Sequence, residues 1–128
     1  MKHLSAANIA DLRTRNIDIY ATIIIAVVIG LATLTPVEEL PAVSGSDKLY
    51  HHISFAILTL PIAVIRPKAG WVMFILSVGY GGAIEVLQPL VDRNCELTDF
   101  LADVGGVALG MAMSKAFVRL SPTIADEQ

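Results

Sequence analysis

Four long, mostly apolar runs constrain this 128-residue chain more than any other feature. The first run lies between Asp18 and Pro36, and the second covers residues 49–65. The third covers residues 69–91, and the fourth covers about residues 97–120. A helix needs roughly 20 residues, and at least about 17, to cross the hydrocarbon core of a bilayer. The runs therefore predict four membrane-spanning helices.

The composition favours a bilayer environment. Hydrophobic residues make up 55% of the chain and charged residues only 16%, whereas soluble domains carry about 25% charged residues. A soluble fold of this size cannot bury so much apolar surface, but lipid can solvate the outside of a helical bundle. A formal net charge of −3, with no basic stripe, argues against a nucleic-acid partner. We therefore expect an all-α polytopic membrane protein, a four-helix bundle in contact with membrane lipids.

The basic residues predict the orientation of this bundle. If both termini are cytoplasmic, seven Lys and Arg residues lie inside, and two, Lys48 and Arg93, lie outside. The inside residues are Lys2, Arg13, Arg15, Arg66, Lys68, Lys115 and Arg119. Because cytoplasmic loops carry an excess of Lys and Arg, we expect both termini in the cytoplasm of a multi-pass protein of the inner cell membrane.

The chain divides into three segments. Residues 1–16 form a cytoplasmic N-terminal segment, in which residues 4–15 predict a short interfacial helix with Ser5 as its N-cap. Residues 17–120 form the membrane domain, and Pro61 predicts a bend or a water-exposed stretch in its second helix. Residues 121–128 are expected to form a disordered cytoplasmic tail.

Polar residues gather where the second run starts, the third ends and the fourth starts. They are Asp47, Lys48, His51, Glu85, Gln88, Arg93, Asp99 and Asp103. Antiparallel neighbours bring these three segments to one depth, which is the outer face in the orientation above. Ionisable groups inside membrane spans are costly and indicate function by default. Glu85, well inside the third run, needs a partner or a proton.

Helical spacing places some of these residues on shared faces. Glu85 and Gln88 are three residues apart, and Asp99 and Asp103 are four apart, so each pair shares a face. If Asp99, Asp103 and Glu85 crowd one low-dielectric site, they cannot all ionise cheaply. We expect at least one of the three to keep its proton near neutral pH.

A stripe of small residues continues from Asp103 along the fourth run. Gly106 and Gly110 form a G-x-x-x-G match, which lets another helix, or a second copy of the chain, approach closely. Gly79, Gly81 and Gly82 make the third run similarly thin. We therefore expect the third and fourth helices to pack tightly with their acids facing a shared interior.

Each polar residue also has a structural interpretation. Asp47 and Asp99 can cap the helices that they open, because a carboxylate accepts the free N–H groups of a first turn. Lys48 and Arg93 can extend to phosphate headgroups. Glu85 can belong to a buried ion pair that only holds the bundle in register.

These elements, in this order, resemble the VanZ-like family of small membrane proteins, which is named for teicoplanin resistance. Family members open a helix with Asp-Lys-x-x-His, and later carry Glu-x-x-Gln on a glycine-rich helix, an Arg in the next loop and an Asp opening the last helix. The matching residues are Asp47, Lys48, His51, Glu85, Gln88, Arg93 and Asp99, with the aromatic Phe55 after the first motif. The chain departs from the family at Asp103, where Asn is usual, so the resemblance implies that Asp103 is protonated near neutral pH and hydrogen-bonds as that Asn would. The resemblance covers roughly residues 17–120 and implies a cell-envelope membrane protein without supplying a mechanism.

Two functions remain open at this stage. The first is an enzyme or binder for an amphiphilic cell-envelope substrate: a lipid-linked glycan, a polyprenyl phosphate or a phospholipid headgroup. Glu85, His51, Asp99 and Asp103 are then the candidate catalytic residues, and Asp47, Lys48, Gln88 and Arg93 the candidate substrate-binding residues. The second is a non-enzymatic accessory or scaffold protein, with the polar network as a structural clasp.

The sequence carries no motif for a cofactor. No metal-ligand spacing, Ser nucleophile motif or glycine-rich phosphate loop is present, so we expect no bound cofactor or tight metal site. A hard cation shared by Asp99 and Asp103 is the weaker alternative to a shared proton. Cys95 is the only cysteine, which excludes an internal disulfide.

Overall fold

A computed structural model describes residues 6–36 and 47–121, which form helices and no strand. The helices are α1 (Ala6–Thr14), α2 (Ile17–Leu34), α3 (Asp47–Ile65), α4 (Gly70–Leu87) and α5 (Leu97–Leu120). Short 3-10 turns, Pro67–Ala69 and Gln88–Val91, flank α4. Helices α2, α3 and α5, and α4 with its flanking turns, are long and apolar enough to cross a membrane. This confirms the all-helical prediction with four candidate membrane spans.

The predicted boundaries agree closely with the helices. The fourth run matches α5 at both ends, and α3 continues without interruption through Pro61. The predicted N-terminal helix corresponds to α1. Its expected cap, Ser5, and the expected disordered tail from residue 122 onward lie outside the described residues.

Side-chain contacts show the relative directions of α3, α4 and α5. The first turns of α3 contact the first turns of α5, because Lys48 lies 3.2 Å from Glu96 and His51 lies 2.9 Å from Asp103. Helix α4 ends beside them, since Glu85 accepts a hydrogen bond from the Glu96 backbone N–H at 2.9 Å. Helices α3 and α5 are therefore parallel to each other and antiparallel to α4. We call this end of the bundle the acidic end, defined by Asp47, Glu85, Glu96, Asp99 and Asp103.

The core lies between α2, α3, α4 and α5. Its buried apolar side chains are Ile29, Phe55, Leu58, Met73, Ile84 and Val107. The outer faces are also apolar: Ile24 and Leu31 on α2 are 64% and 67% exposed. Such exposed surface is unfavourable in water, but lipid solvates it, which agrees with four membrane-crossing helices.

The glycine stripe of α5 packs against α3 and not against α4, which corrects our expectation. A Cβ atom added at Gly106 would overlap the backbone carbonyl of His52, and one at Gly110 would lie 2.5 Å from the Ala56 carbonyl oxygen. Helix α4 does approach α5, but through Gly81, where an added Cβ would lie 2.8 Å from Asp103 Oδ2. The acidic end therefore depends on a close α3–α5 contact.

The opposite end of the bundle holds a compact ion pair. We call it the Arg66 end, defined by Asn16, Asp18 and Arg66. Arg66 donates from Nε and Nη2 to the fully buried Asp18 carboxylate, and also donates to Asn16 Oδ1 at 2.8 Å and to the Arg13 carbonyl at 2.9 Å. The hydrogen bond to Asp18 raises the pKa of Arg66 above its ordinary value. Asn16 has a left-handed backbone conformation, φ 54°, which separates α1 from α2 and turns its side chain toward Arg66.

Candidate functional site

The start of α3 contributes three of the predicted site residues. Asp47 and Lys48 are exposed on the first turn, whereas His51, one turn later, is only 4% exposed. Adjacent helical residues point about 100° apart, and His52 accordingly contacts the Ala102 carbonyl while His51 turns to Asp103. His51 is thus the α3 residue that enters the interior of the acidic end.

His51 and Asp103 form the most buried polar contact of this end. His51 Nδ1 lies 2.9 Å from Asp103 Oδ1, and Asp103 is fully buried. Gly81 leaves room for the second oxygen, Oδ2, which has no hydrogen-bond partner among the described residues. One proton between the ring and the carboxylate satisfies Nδ1 and Oδ1, but it leaves Oδ2 unpaired.

Glu85 is held in place on one side only. Its Oε2 accepts the Glu96 backbone N–H at 2.9 Å. The Gln88 amide lies 3.2 Å from both this oxygen and the Asn94 carbonyl, so its nitrogen faces the two acceptors. The other oxygen, Oε1, is buried without a hydrogen-bond partner within residues 6–36 and 47–121. Gln88 therefore positions Glu85, and half of the carboxylate remains unsatisfied.

Lys48 joins α3 to the start of α5. Its Nζ lies 3.2 Å from Glu96 Oε2 and 3.3 Å from Asp99 Oδ1, the latter without hydrogen-bond geometry. The hydrogen bond from Lys48 lowers the pKa of Glu96 below its ordinary value. Lys48 thus has carboxylate partners in addition to any lipid headgroup.

Arg93 lies on the other side of His51 from the buried acids. Its Nη2 lies 3.9 Å from Asp47 Oδ1, and its Nη1 donates to the Ala32 and Thr35 carbonyls at 3.3 and 3.5 Å. Last-turn carbonyls of a helix lack intrahelical partners, so this Arg caps the end of α2. The described contacts of Arg93 are thus with Asp47 and the end of α2, and not with Glu85 or Asp99.

A cavity of about 280 Å³ opens between α2, α3 and the segment that follows α4. Its apolar side includes Ile29 and Phe55, and its polar side includes Asp47, His51 and Arg93. Among the described residues, Glu85 and Asp99 do not line this cavity. The predicted constellation thus forms two parts, an amphipathic cavity and a buried acid group, with His51 common to both.

The same residues bring potential metal ligands together. One ligand atom each from His51, Glu85 and Asp103 lies within 4.8 Å of the others, and the same holds for Asp47, His51 and Asp99. The sequence analysis did not identify these groups, because the members of the first come from three helices, α3, α4 and α5, and those of the second come from α3 and α5.

Sequence reasoning missed the Asp18–Arg66 pair. Each residue stands at the edge of an apolar run; Asp18 served as a boundary of its run, and Arg66 as one of the basic residues that predict the orientation. Their opposite charges at the same predicted membrane depth are the signal that could have identified them.

Comparison with known proteins gives no relative for the chain. No match was found among protein-family models, curated proteins or solved structures.

Proposed function

We propose that this chain is a VanZ-like, multi-pass protein of the inner cell membrane that binds or processes a phosphate-bearing amphiphile of the cell envelope. The candidate ligands are a lipid-linked glycan, a polyprenyl phosphate and a phospholipid. The observation that carries the proposal is the cavity of about 280 Å³ with one apolar side and one polar side. Ligand sites are commonly apolar clefts with a few well-placed polar groups.

The polar side of the cavity suits a phosphate with hydroxyl groups nearby. Arg93 supplies a guanidinium whose side chain is only 12% exposed, and a guanidinium can bind a phosphate through two parallel hydrogen bonds. Asp47 and His51 supply a hydrogen-bond acceptor and a group that can donate or accept. Their presence favours a head that carries hydroxyl or amine groups over a bare phosphate.

The apolar side suits the lipid tail. Ile29 and Ala32 on α2, and Phe55 on α3, line the cavity. Helix α2 also exposes Val28 and Leu31 on its outer face, so a chain leaving the cavity meets an apolar surface. A ligand with a wet head and a tail in lipid therefore fits both sides.

If the ligand is processed, the buried group supplies the chemistry. His51 lies at the cavity and contacts Asp103, so it is the residue best placed to transfer a proton to or from a bound head. Asp103 would orient His51, and Glu85 and Asp99 would set the charge of the interior.

Binding of a polyprenyl phosphate to the purified full chain in detergent tests the proposal, with the polyprenol of the same length as the reference ligand. We expect the phosphate to bind more tightly than the alcohol, and Arg93→Gln to remove most of that difference. Ala32→Phe should weaken both ligands by filling the cavity. The matched controls are Arg119→Gln and Ala116→Phe, two exposed positions on α5 outside the cavity. Equal binding of phosphate and alcohol, or full binding by Ala32→Phe, contradicts the proposal.

The second candidate is an accessory or scaffold protein, and the cross-helix contacts of Lys48 and His51 favour it. These contacts join α3 to α5 and can act as a clasp without chemistry. Glu85→Gln separates the two candidates, because the amide preserves a hydrogen-bonded clasp but removes acid–base function.

The orientation proposed here has both termini in the cytoplasm, supported by the seven-to-two distribution of Lys and Arg. A reporter fused after Gln128 tests it. Cytoplasmic activity of the reporter is expected, and extracytoplasmic labelling would reverse the face assigned to the acidic end.

A further inference from the structure

The geometry points to a divalent transition-metal site formed by His51, Glu85 and Asp103, one residue from each of α3, α4 and α5. One ring nitrogen of His51 and one oxygen of each carboxylate lie within 4.8 Å of one another. All three residues are at least 95% buried. This inference does not rest on the amphiphile proposal: His51 belongs to both places, but Glu85 and Asp103 lie outside the cavity lining.

Two buried carboxylate oxygens lack partners at this place. Glu85 Oε1 and Asp103 Oδ2 have no hydrogen-bond partner among the described residues. A buried unpaired carboxylate oxygen costs free energy, and a native fold normally satisfies it or binds something there. Asp103 Oδ2 faces the Gly81 side of α4, and Gly81 lies one turn before Glu85 on that helix. The unpaired oxygen of Asp103 therefore faces α4, the helix that carries Glu85.

The charge of the surroundings favours a cation. Five carboxylates define the acidic end, and the fixed cations described there are Lys48 and Arg93. Lys48 is bound to Glu96 and Asp99, and Arg93 faces Asp47, so both cations contact acids outside the group of three. Within that group, the imidazole of His51 is the described partner of Asp103. A divalent ion would offset both carboxylates at once.

The donor set selects the class of ion. One imidazole and two carboxylates, without a thiolate, suit Mn²⁺, Fe²⁺ or Zn²⁺ better than Ca²⁺ or Cu⁺. His51 Nδ1 and Asp103 Oδ1 are 2.9 Å apart. Nδ1 and Oδ1 are therefore close enough to share one ion, and the two carboxylate donors favour Mn²⁺, which prefers oxygen ligands, over Zn²⁺. Mn²⁺ is therefore the first probe, and the ion would replace the proton that lies between His51 and Asp103.

The test uses the full chain, purified in detergent, stripped with a chelator and then exposed to Mn²⁺ or to Zn²⁺ alone. Bound metal is measured by equilibrium dialysis with elemental analysis, and Mn²⁺ also by loss of the free-ion electron paramagnetic resonance signal. We expect one Mn²⁺ per chain and a higher thermal midpoint with metal than without it.

Conservative variants of the acids decide the assignment. Glu85→Gln and Asp103→Asn should each weaken Mn²⁺ binding by at least about tenfold, the scale seen when groups around a metal are removed. The matched controls are Glu96→Gln, an exposed carboxylate of the acidic end, and Asp92→Asn, an exposed carboxylate just after the turn that follows α4; both variants should bind Mn²⁺ as the wild type does. His51→Gln is a further test, with size-exclusion chromatography as the check on folding.

Failure of the wild-type chain to bind close to one equivalent of either ion would overturn the inference. So would Mn²⁺ binding that both Glu85→Gln and Asp103→Asn retain at full affinity. Lipid binding by the chelated chain, measured with Arg93→Gln as above, reports on the amphiphile proposal separately, so the two failures are distinguishable.

Discussion

The two ends of the bundle handle buried charge in opposite ways. At the Arg66 end, the fully buried Asp18 carboxylate accepts hydrogen bonds from Arg66 Nε and Nη2, and Nη2 also donates to Asn16 Oδ1 and the Arg13 carbonyl. At the acidic end, Glu85 and Asp103 are equally hidden, yet each keeps one oxygen without a hydrogen-bond partner among the described residues. The first arrangement minimises the cost of burial, and the second does not.

This difference indicates that the Arg66 end has a structural role and the acidic end a functional one. A satisfied buried ion pair contributes little net stability over an apolar contact, but breaking it is expensive. An unsatisfied acidic group is expensive as it stands, so it persists where a ligand uses it. We therefore expect variants of the Arg66 end to unfold the protein, and conservative variants of the acidic end to leave its stability intact.

Arg66→Gln should have the largest effect on the unfolding free energy. Removal of the guanidinium leaves the Asp18 charge buried without its cation, which costs about 3–5 kcal/mol of unfolding free energy. Reversible unfolding in mixed micelles measures it, with Arg119→Gln as an exposed control. Adding Asp18→Asn should recover part of the loss, because the buried charge is then gone. A loss in Arg66→Gln no greater than in the control contradicts this description of the Arg66 end.

Gly106→Ala should have the next largest effect on the unfolding free energy, because it forces α3 away from α5 and separates the helices that form the acidic end. The new methyl group meets the His52 backbone, and overpacking of this kind costs about 1–3 kcal/mol. Gly79→Ala is the matched control: its Cβ meets nothing within 4 Å, and Ala favours a helix over Gly by about 1 kcal/mol. If the two variants are equally stable, the close α3–α5 contact is not a constraint.

Asp103 should tolerate an amide but not an apolar group. Asn can still hydrogen-bond to His51, so Asp103→Asn should change the unfolding free energy of the metal-free chain by less than about 1 kcal/mol. Asp103→Leu leaves His51 Nδ1 unpaired and should cost about 1–3 kcal/mol. Thermal unfolding across pH compares the variants. A loss of several degrees in Asp103→Asn at neutral pH would mean that Asp103 acts as a charge.

Glu96→Gln should have the smallest effect, because both Glu96 and Lys48 are exposed. The hydrogen bond from Lys48 lowers the pKa of Glu96 below its ordinary value of 4.5. The carboxylate therefore contributes stability above that value and loses the contribution as the pH falls through its lowered pKa. Glu96→Gln should be slightly less stable than wild type at neutral pH, and equal to it in strong acid. In a Lys48→Gln background this pH-dependent difference should disappear; if it persists, Lys48 is not its source.

Much of the fold could be predicted because each apolar run ends at charged residues or proline. The run of residues 97–120 matched α5 at both ends for that reason. The packing partners were less accessible. Gly106 and Gly110 showed that some helix comes close, but a stripe of small residues does not specify which one, and α3 occupies the place expected for α4.

The site was predictable as a set of residues at one depth and not as a set of contacts. Glu85, Asp99 and Asp103 do gather with His51 or Asp47, since helix direction and spacing fix their height and face. Arg93 instead contacts the last carbonyls of α2, a contact that depends on where α2 ends relative to the segment after α4. The pairing of Asp18 with Arg66 was not predicted, because a shared membrane depth alone does not specify which helix ends are neighbours.

The central claim is that the acidic end binds a ligand and does not stabilise the fold. The most direct test is the unfolding free energy of Glu85→Gln, measured in the same micelles as that of Arg66→Gln. The amide oxygen can still accept the Glu96 N–H, and the Gln88 amide can rotate to pair with the new amide nitrogen. We predict a change below about 1 kcal/mol for the metal-free chain, against a loss of about 3–5 kcal/mol for Arg66→Gln. A loss in Glu85→Gln as large as that in Arg66→Gln would contradict the account, because the carboxylate of Glu85 would then stabilise the fold as the Asp18–Arg66 pair does.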